Sequence, residues 1–114
     1  MDIPPPCEHV FVSTKGGSYA RFRRALETGN ITLVRAAASE LPTINLDDAL
    51  RICLLLRGAD PSRYERAVIR WLGRLCLERP NVTLTELRLA LAAFDRLPSE
   101  PDEAAAELRR LVWR

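Results

Sequence analysis

Residues 46–80, LDDALRICLLLRGADPSRYERAVIRWLGRLCLERP, decide the fold because two helical patterns of different kinds follow one another. The first pattern ends at Gly58 and is apolar on almost every side, with a narrow polar sector at Asp47, Asp48 and Arg51. A helix that is apolar all round is surrounded by other elements, whereas an amphipathic helix covers a core with one face. We therefore expect this helix to be the central element of the fold.

The second pattern is an amphipathic helix with clear start and stop signals. Asp60 stands at the N-cap position, Pro61 at the first helical position, and Pro80 marks the stop. Four arginines recur at spacings of three, four and four residues, so at about 100° per residue they form one stripe opposite the apolar face. We call them the arginine stripe: Arg63, Arg66, Arg70 and Arg74. Guanidinium groups in a row suit phosphates or carboxylates, and the alternative interpretation is a solvated polar face.

Further helices flank this pair on both sides. On the C-terminal side, Thr83 and Glu86 form a capping box, and a last helix begins at Ser99. The apolar stripe predicted for the helix after Thr83 consists of Leu84, Leu87, Leu91 and Phe94. On the N-terminal side, helices are predicted over residues 19–28 and 31–41, separated by Gly29 as C-cap and Asn30 as N-cap.

The N-terminal segment lacks the helical pattern of the rest of the chain. Residues 1–8 are rich in proline and predict an extended arm, and residues 9–14 have a strand-like pattern. The following Lys15-Gly16-Gly17-Ser18 stretch lacks the second lysine and the hydroxyl of a phosphate-binding loop, since Ala20 and Arg21 occupy those positions. It therefore predicts a flexible turn that leads into a helix capped by Ser18.

These signals predict an all-α protein of about six short antiparallel helices, arranged as a compact helical bundle or as three stacked helical hairpins, with an extended N-terminal arm. Residues 1–17 are assigned to the arm and turn, and residues 18–114 to a single helical domain. Residues 25–40 resemble the helix pair of an ankyrin repeat, and residues 54–62 resemble the end of one. This resemblance covers less than a third of the chain, without a TPLH turn or a constant period of about 33 residues.

Composition excludes several classes of protein. The 114 residues suffice for one core, and 47 % apolar with 28 % charged residues is ordinary for a soluble protein. The charge of +2 comes from sixteen arginines and one lysine against fifteen acids. Three cysteines without a CxxC pair predict neither disulfides nor a structural metal site, and a pair at Cys7 and His9 lacks further ligands. The N-terminus is not a secretory signal, so we expect a cytoplasmic protein.

Function is predicted only at the level of class. No nucleophile is placed beside a base, so we expect no enzyme, no cofactor and no metal. We predict a small binding or adaptor module that acts through protein–protein interaction, including self-association, with no membrane contact. The alternatives are a nucleic-acid-binding protein that uses the arginine stripe and an antitoxin-like or regulatory partner protein. A candidate partner patch comprises the apolar residues that point away from the predicted core: Leu33, Leu89 and Trp113.

Overall fold

The structure is a computed structural model that describes the backbone of residues 7–113 and the side chains of residues 17–113. This part of the chain contains six helices and no strand, which confirms the all-α class. The helices are α1 (Cys7–Thr28), α2 (Ile31–Ala38), α3 (Leu46–Ala59), α4 (Pro61–Glu78), α5 (Leu84–Arg96) and α6 (Pro101–Val112). Residues 1–6 of the predicted arm lie outside the described residues.

Local capping chemistry explains most of the helix boundaries. The Thr83 hydroxyl accepts from the Glu86 N–H at 3.1 Å and the Glu86 carboxylate accepts from the Thr83 N–H at 3.0 Å, which confirms the capping box. Asn30 accepts from Thr32 and Leu33 at the start of α2. Gly29 has φ of 71°, the left-handed conformation expected of a C-cap glycine. Short polar residues therefore place these boundaries as the sequence predicts.

The prediction was wrong at the start of α1. This helix begins at Cys7 and runs without interruption to Thr28, through the predicted strand-like segment and the predicted turn. Ser18 is accordingly an interior residue of α1 and not its N-cap. A glycine inside a helix costs only about 1 kcal/mol relative to alanine, whereas a proline costs about 3 kcal/mol. Two glycines weaken a helix but do not end it, and residues 7–28 contain no proline.

At two other helix starts the expected side chain does not cap, although α4 begins at Pro61 as predicted. The Asp60 carboxylate binds the Ser62 hydroxyl at 2.9 Å and Arg63 at 3.2 Å, and it accepts no capping hydrogen bond from the backbone of α4. α6 begins at Pro101 and not directly after Ser99, whose hydroxyl donates back to the carbonyl of Arg96. Proline at the first position of α4 and α6 supplies the start signal in both cases.

The chain divides into two units, one ending at Ile44 and the other beginning at Asn45. In the first unit α1 packs against α2, and Phe22, Ala25 and Val34 are buried. An ion pair joins Arg21 of α1 to Glu40 beyond the end of α2. The single domain assigned to residues 18–114 stays a prediction.

The second unit contains the main core and is built from two helical hairpins, α3–α4 and α5–α6, with α3 also in contact with α6. Trp71 of α4 donates its indole N–H to the carbonyl of Leu46 at 2.9 Å, so α4 runs back along α3. The Trp71 ring meets Phe94 of α5 edge to face, with 5.8 Å between centroids. α3 thus contacts α4 of its own hairpin and α6 of the other hairpin.

The polar start of α3 is buried, which the sequence did not predict. Asp47 and Asp48 are both almost inaccessible to solvent. Arg109 of α6 donates to the Asp47 carboxylate from its Nε at 3.0 Å, and Arg51 approaches the same carboxylate at 3.5 Å. The charge of Asp47 is tolerated because two guanidinium groups and the N-terminal end of the helix dipole surround it.

The apolar stripe predicted for α5 was wrong in two of its four positions. Leu84 and Leu91 are exposed, and Leu87 is half-buried. The face of α5 that enters the core consists of Ala90, Ala93 and Phe94, continued by Leu97 after the helix. Small alanines occupy the core because they let α5 approach its neighbours closely. Leu84 and Leu91 are consequently left outside this core face.

Candidate functional site

The candidate site is the side of α4 that faces away from the core. Val68, Trp71 and Leu75 are buried on one side of this helix. Successive residues of a helix are rotated by about 100°, so five residues of α4 fall within an arc of about 100° on the side opposite these three. We call this surface the α4 outer face, and it consists of Arg66, Ile69, Arg70, Gly73 and Leu77.

The two ends of the arginine stripe are engaged within their own helix. Arg63 forms an ion pair with Asp60 at 3.2 Å, and Arg74 pairs with Glu78 at 2.8 Å. Both pairs are at least one-third exposed, and such surface pairs contribute about 0.2–1 kcal/mol each. Their significance lies in charge, since each carboxylate offsets one arginine of the stripe. The stripe therefore presents two uncompensated cations and not four.

Those two cations are Arg66 and Arg70, which lie on the α4 outer face. Both side chains are exposed, and no carboxylate of the described residues forms an ion pair with either of them. Arg70 acts electrostatically on the Cys53 thiol, but burial has the larger effect and raises the pKa of Cys53 from 9.0 to about 11. Cys53 is thus a protonated core residue at neutral pH. Arg66 and Arg70 are available to an anionic partner.

Two large apolar side chains share the face with these arginines. Ile69 is 62 % exposed and Leu77 is 84 % exposed. Gly73 lies midway between them, so the three residues form a row at spacings of four with no side chain in the middle. The sequence analysis did not single out Ile69 or Leu77. Their spacing of four residues on either side of Gly73 is the sequence signal that could have identified them.

The candidate partner patch is divided between the two units. Leu33 is exposed on α2 of the first unit, while Leu89 on α5 and Trp113 after α6 are exposed in the second unit. Each side chain is therefore accessible as predicted. Their combination into one patch stays a prediction.

A pocket lies where α4 ends, and its two charged residues, Arg79 and Glu86, already have structural roles. Its volume is about 150 Å³, and it is lined by Arg79, Pro80, Asn81, Val82, Glu86 and Leu111. Arg79 donates to the carbonyl of Val112 from Nε and Nη2, at 2.9 and 2.7 Å, and so completes the end of α6. Ligand pockets usually have volumes of about 300 Å³ or more, so this pocket suits only a small group.

Metal-binding clusters and membrane-spanning helices are both absent from the described part of the chain. No group of three His, Cys, Asp or Glu residues is assembled there that could hold a metal ion. The side chains of Cys7 and His9 lie outside the described residues. Among the helices of residues 7–113, none combines the length and the apolar character that a membrane span requires.

Comparisons with protein-family models, with curated proteins and with solved structures found no match for this chain. The α4 outer face combines exposed apolar area with uncompensated positive charge.

Proposed function

We propose that this chain is a non-enzymatic helical binding module that acts through protein–protein interaction, and that the α4 outer face is its contact surface. The observation that carries the proposal is the exposure of Ile69 and Leu77 beside Arg66 and Arg70 on one helix face. Arginine and large apolar residues are the types that contribute most to the centre of protein interfaces.

The chemistry of the face defines the partner. Burial of a leucine or isoleucine side chain contributes about 1.5–3 kcal/mol, whereas an exposed ion pair contributes about 0.2–1 kcal/mol. Ile69 and Leu77 would thus supply most of the affinity, and the two arginines would select for carboxylates and speed the encounter. A helical segment that carries Asp or Glu beside two apolar residues fits this face.

Nucleic acid is the alternative partner, and it fits the face less well. Two phosphate contacts imply a slope of log K against log salt of only about −1.8, against about −3.6 for a stripe of four. Contact with phosphates also leaves Ile69 and Leu77 without an apolar surface to meet. The combination of two cations with two large apolar groups favours a protein partner.

Selection of peptides from a random displayed library on the unmodified protein tests the proposal. We expect the selected peptides to carry Asp or Glu together with two apolar residues spaced for one helix face. They should bind the double variant Ile69→Ser/Leu77→Ser at least ten times more weakly, which corresponds to about 1.4 kcal/mol or more. Replacement of Arg66 and Arg70 by Gln should flatten the salt dependence of binding.

Matched variants separate this face from other surfaces. Leu33→Ser removes an exposed leucine from α2 and should leave peptide binding unchanged, as should Arg110→Gln on α6. Peptides that bind the Ile69→Ser/Leu77→Ser protein at full strength contradict the proposal. Retardation of DNA or RNA at about 50 mM salt that is lost only with Arg66 and Arg70 would establish the nucleic-acid alternative instead.

A further inference from the structure

A second exposed surface, on α5, carries two leucines together with one positive and one negative charge. Leu84, Arg88, Leu91 and Asp95 follow one another at spacings of four, three and four, which places them on one stripe about 60° wide. All four are exposed, Leu84 at 72 % and Leu91 at 49 %. We call this stripe the α5 outer face. The exposed Ala92 lies directly beside it.

Neither charge of this face forms an ion pair within the described residues, although Asp95 acts electrostatically on Tyr64 of α4. Arg88 and Asp95 are separated by seven residues, about 10.5 Å along the helix axis, which is too far for them to pair with each other. The positions three and four residues to either side of Arg88 hold no acid, and those around Asp95 hold no base. Arg96 of the same helix, by contrast, donates to Glu100 at 3.1 Å and to Glu107 at 2.7 Å.

The order of these residues satisfies two-fold symmetry. Leu91 and Ala92 lie midway between Arg88 and Asp95 in the sequence. If two α5 helices pack antiparallel with the two-fold axis at this midpoint, Arg88 of each copy faces Asp95 of the other. Leu91 of each copy then lies in the centre, and the small Ala92 permits close approach of the helices. A parallel arrangement would place like charges opposite one another.

We propose that the α5 outer face is a contact between two copies of this chain, arranged as an antiparallel two-fold dimer. The observation that selects a second copy over another partner is the presence of both charge signs at mirror-related positions about an apolar centre. One helix face buries less than the about 800 Å² per partner of a standard interface, so the dimer is weak, with a dissociation constant on the order of 10 μM. This contact is independent of the α4 outer face.

Sedimentation equilibrium of the full chain between about 1 and 500 μM measures the association directly. We expect the average mass to rise from the 12.9 kDa monomer toward twice that value. Leu91→Ser should lower the association constant at least tenfold, because it removes the central apolar contact. Arg88→Asp and Asp95→Arg should each prevent dimerisation, because each places like charges opposite one another.

Charge exchange gives the sharpest result. A mixture of the Arg88→Asp and Asp95→Arg proteins should form a heterodimer, because both ion pairs then join opposite charges again. The double variant Arg88→Asp/Asp95→Arg should recover the homodimer for the same reason. Arg110→Asp, which changes the net charge equally on another helix, should associate as the unmodified protein does.

Three results would overturn the proposal: a monomer at every concentration, single charge variants that dimerise normally, or a mixture of the two variants that stays monomeric. Circular dichroism of each variant confirms that its helices are intact. Dimerisation that is lost with Ile69→Ser but kept with Arg88→Asp would place self-association on the α4 outer face and would equally overturn it.

Discussion

At the scale of the residue, Asp47 differs from an ordinary acid at a helix start because it is buried and forms a long-range ion pair with Arg109. Acids at positions 47 and 48 follow the usual preference for negative charge at a helix start, and such acids are normally exposed. Here Asp47 is buried, and Arg109, 62 residues away in the sequence, supplies its counter-charge. No local pattern around Asp47 could have revealed that partner.

This contact yields a prediction with a neighbouring control. Arg109→Gln should destabilise the protein by about 1–3 kcal/mol, because it leaves the buried Asp47 carboxylate with Arg51 as its one guanidinium partner. Arg110→Gln, an exposed neighbour on the same helix, should change stability by no more than about 0.5 kcal/mol. Urea unfolding followed by circular dichroism measures both variants. Equal losses would mean that Arg109 acts only as a surface charge.

At the scale of the element, the sequence predicted helix boundaries best where a single residue determines the boundary within one turn. The capping box at Thr83, the C-cap at Gly29 and Pro61 at the first position of α4 are each decided within one turn, and the structure has all three. The face that α5 buries is decided by its neighbours. Leucines and alanines recur at equivalent helical spacings, and only the close packing of α5 selects the alanines for the core.

The central position of α3 yields the second stability prediction. Leu50 is completely buried, so Leu50→Ala should cost about 2–5 kcal/mol through lost burial and a residual cavity. Leu89→Ala makes the same chemical change at an exposed position of α5 and should cost far less, at most about 1 kcal/mol. Denaturant midpoints of the two variants provide the comparison. A similar shift in both would contradict the central placement of α3.

At the scale of the whole molecule, the sequence predicted the all-α class but not the division at Ile44. Every member of the main core cluster lies between Leu46 and Val112, so this cluster belongs entirely to the second unit. The candidate site was predicted in part. The arginine stripe was visible from spacing, and the pairs of Arg63 with Asp60 and of Arg74 with Glu78 lie at local helical spacings that the sequence also shows. The degree to which Ile69 and Leu77 are exposed depends on the packing of the folded chain.

This division yields a prediction about folding. Residues 45–114, expressed alone, should form a cooperatively folded helical domain, because single domains of about 55–65 residues often fold without help. Circular dichroism with thermal unfolding should show helices and one sigmoidal transition. A fragment with little helix, or one that melts without cooperativity, would show that the core of the second unit needs residues 1–44.

The measurement that tests the central claim most directly is photocrosslinking in the native cell from a benzophenone side chain placed at Leu77, the most exposed apolar residue of the α4 outer face. The same probe at the exposed Ala106 of α6 is the control. Mass spectrometry of the adducts identifies the crosslinked segment. We predict a discrete protein adduct from position 77, joined to an acidic segment with apolar residues, and no such adduct from position 106. Equal labelling at both positions, or an adduct with nucleic acid, would contradict a protein-binding role for the α4 outer face.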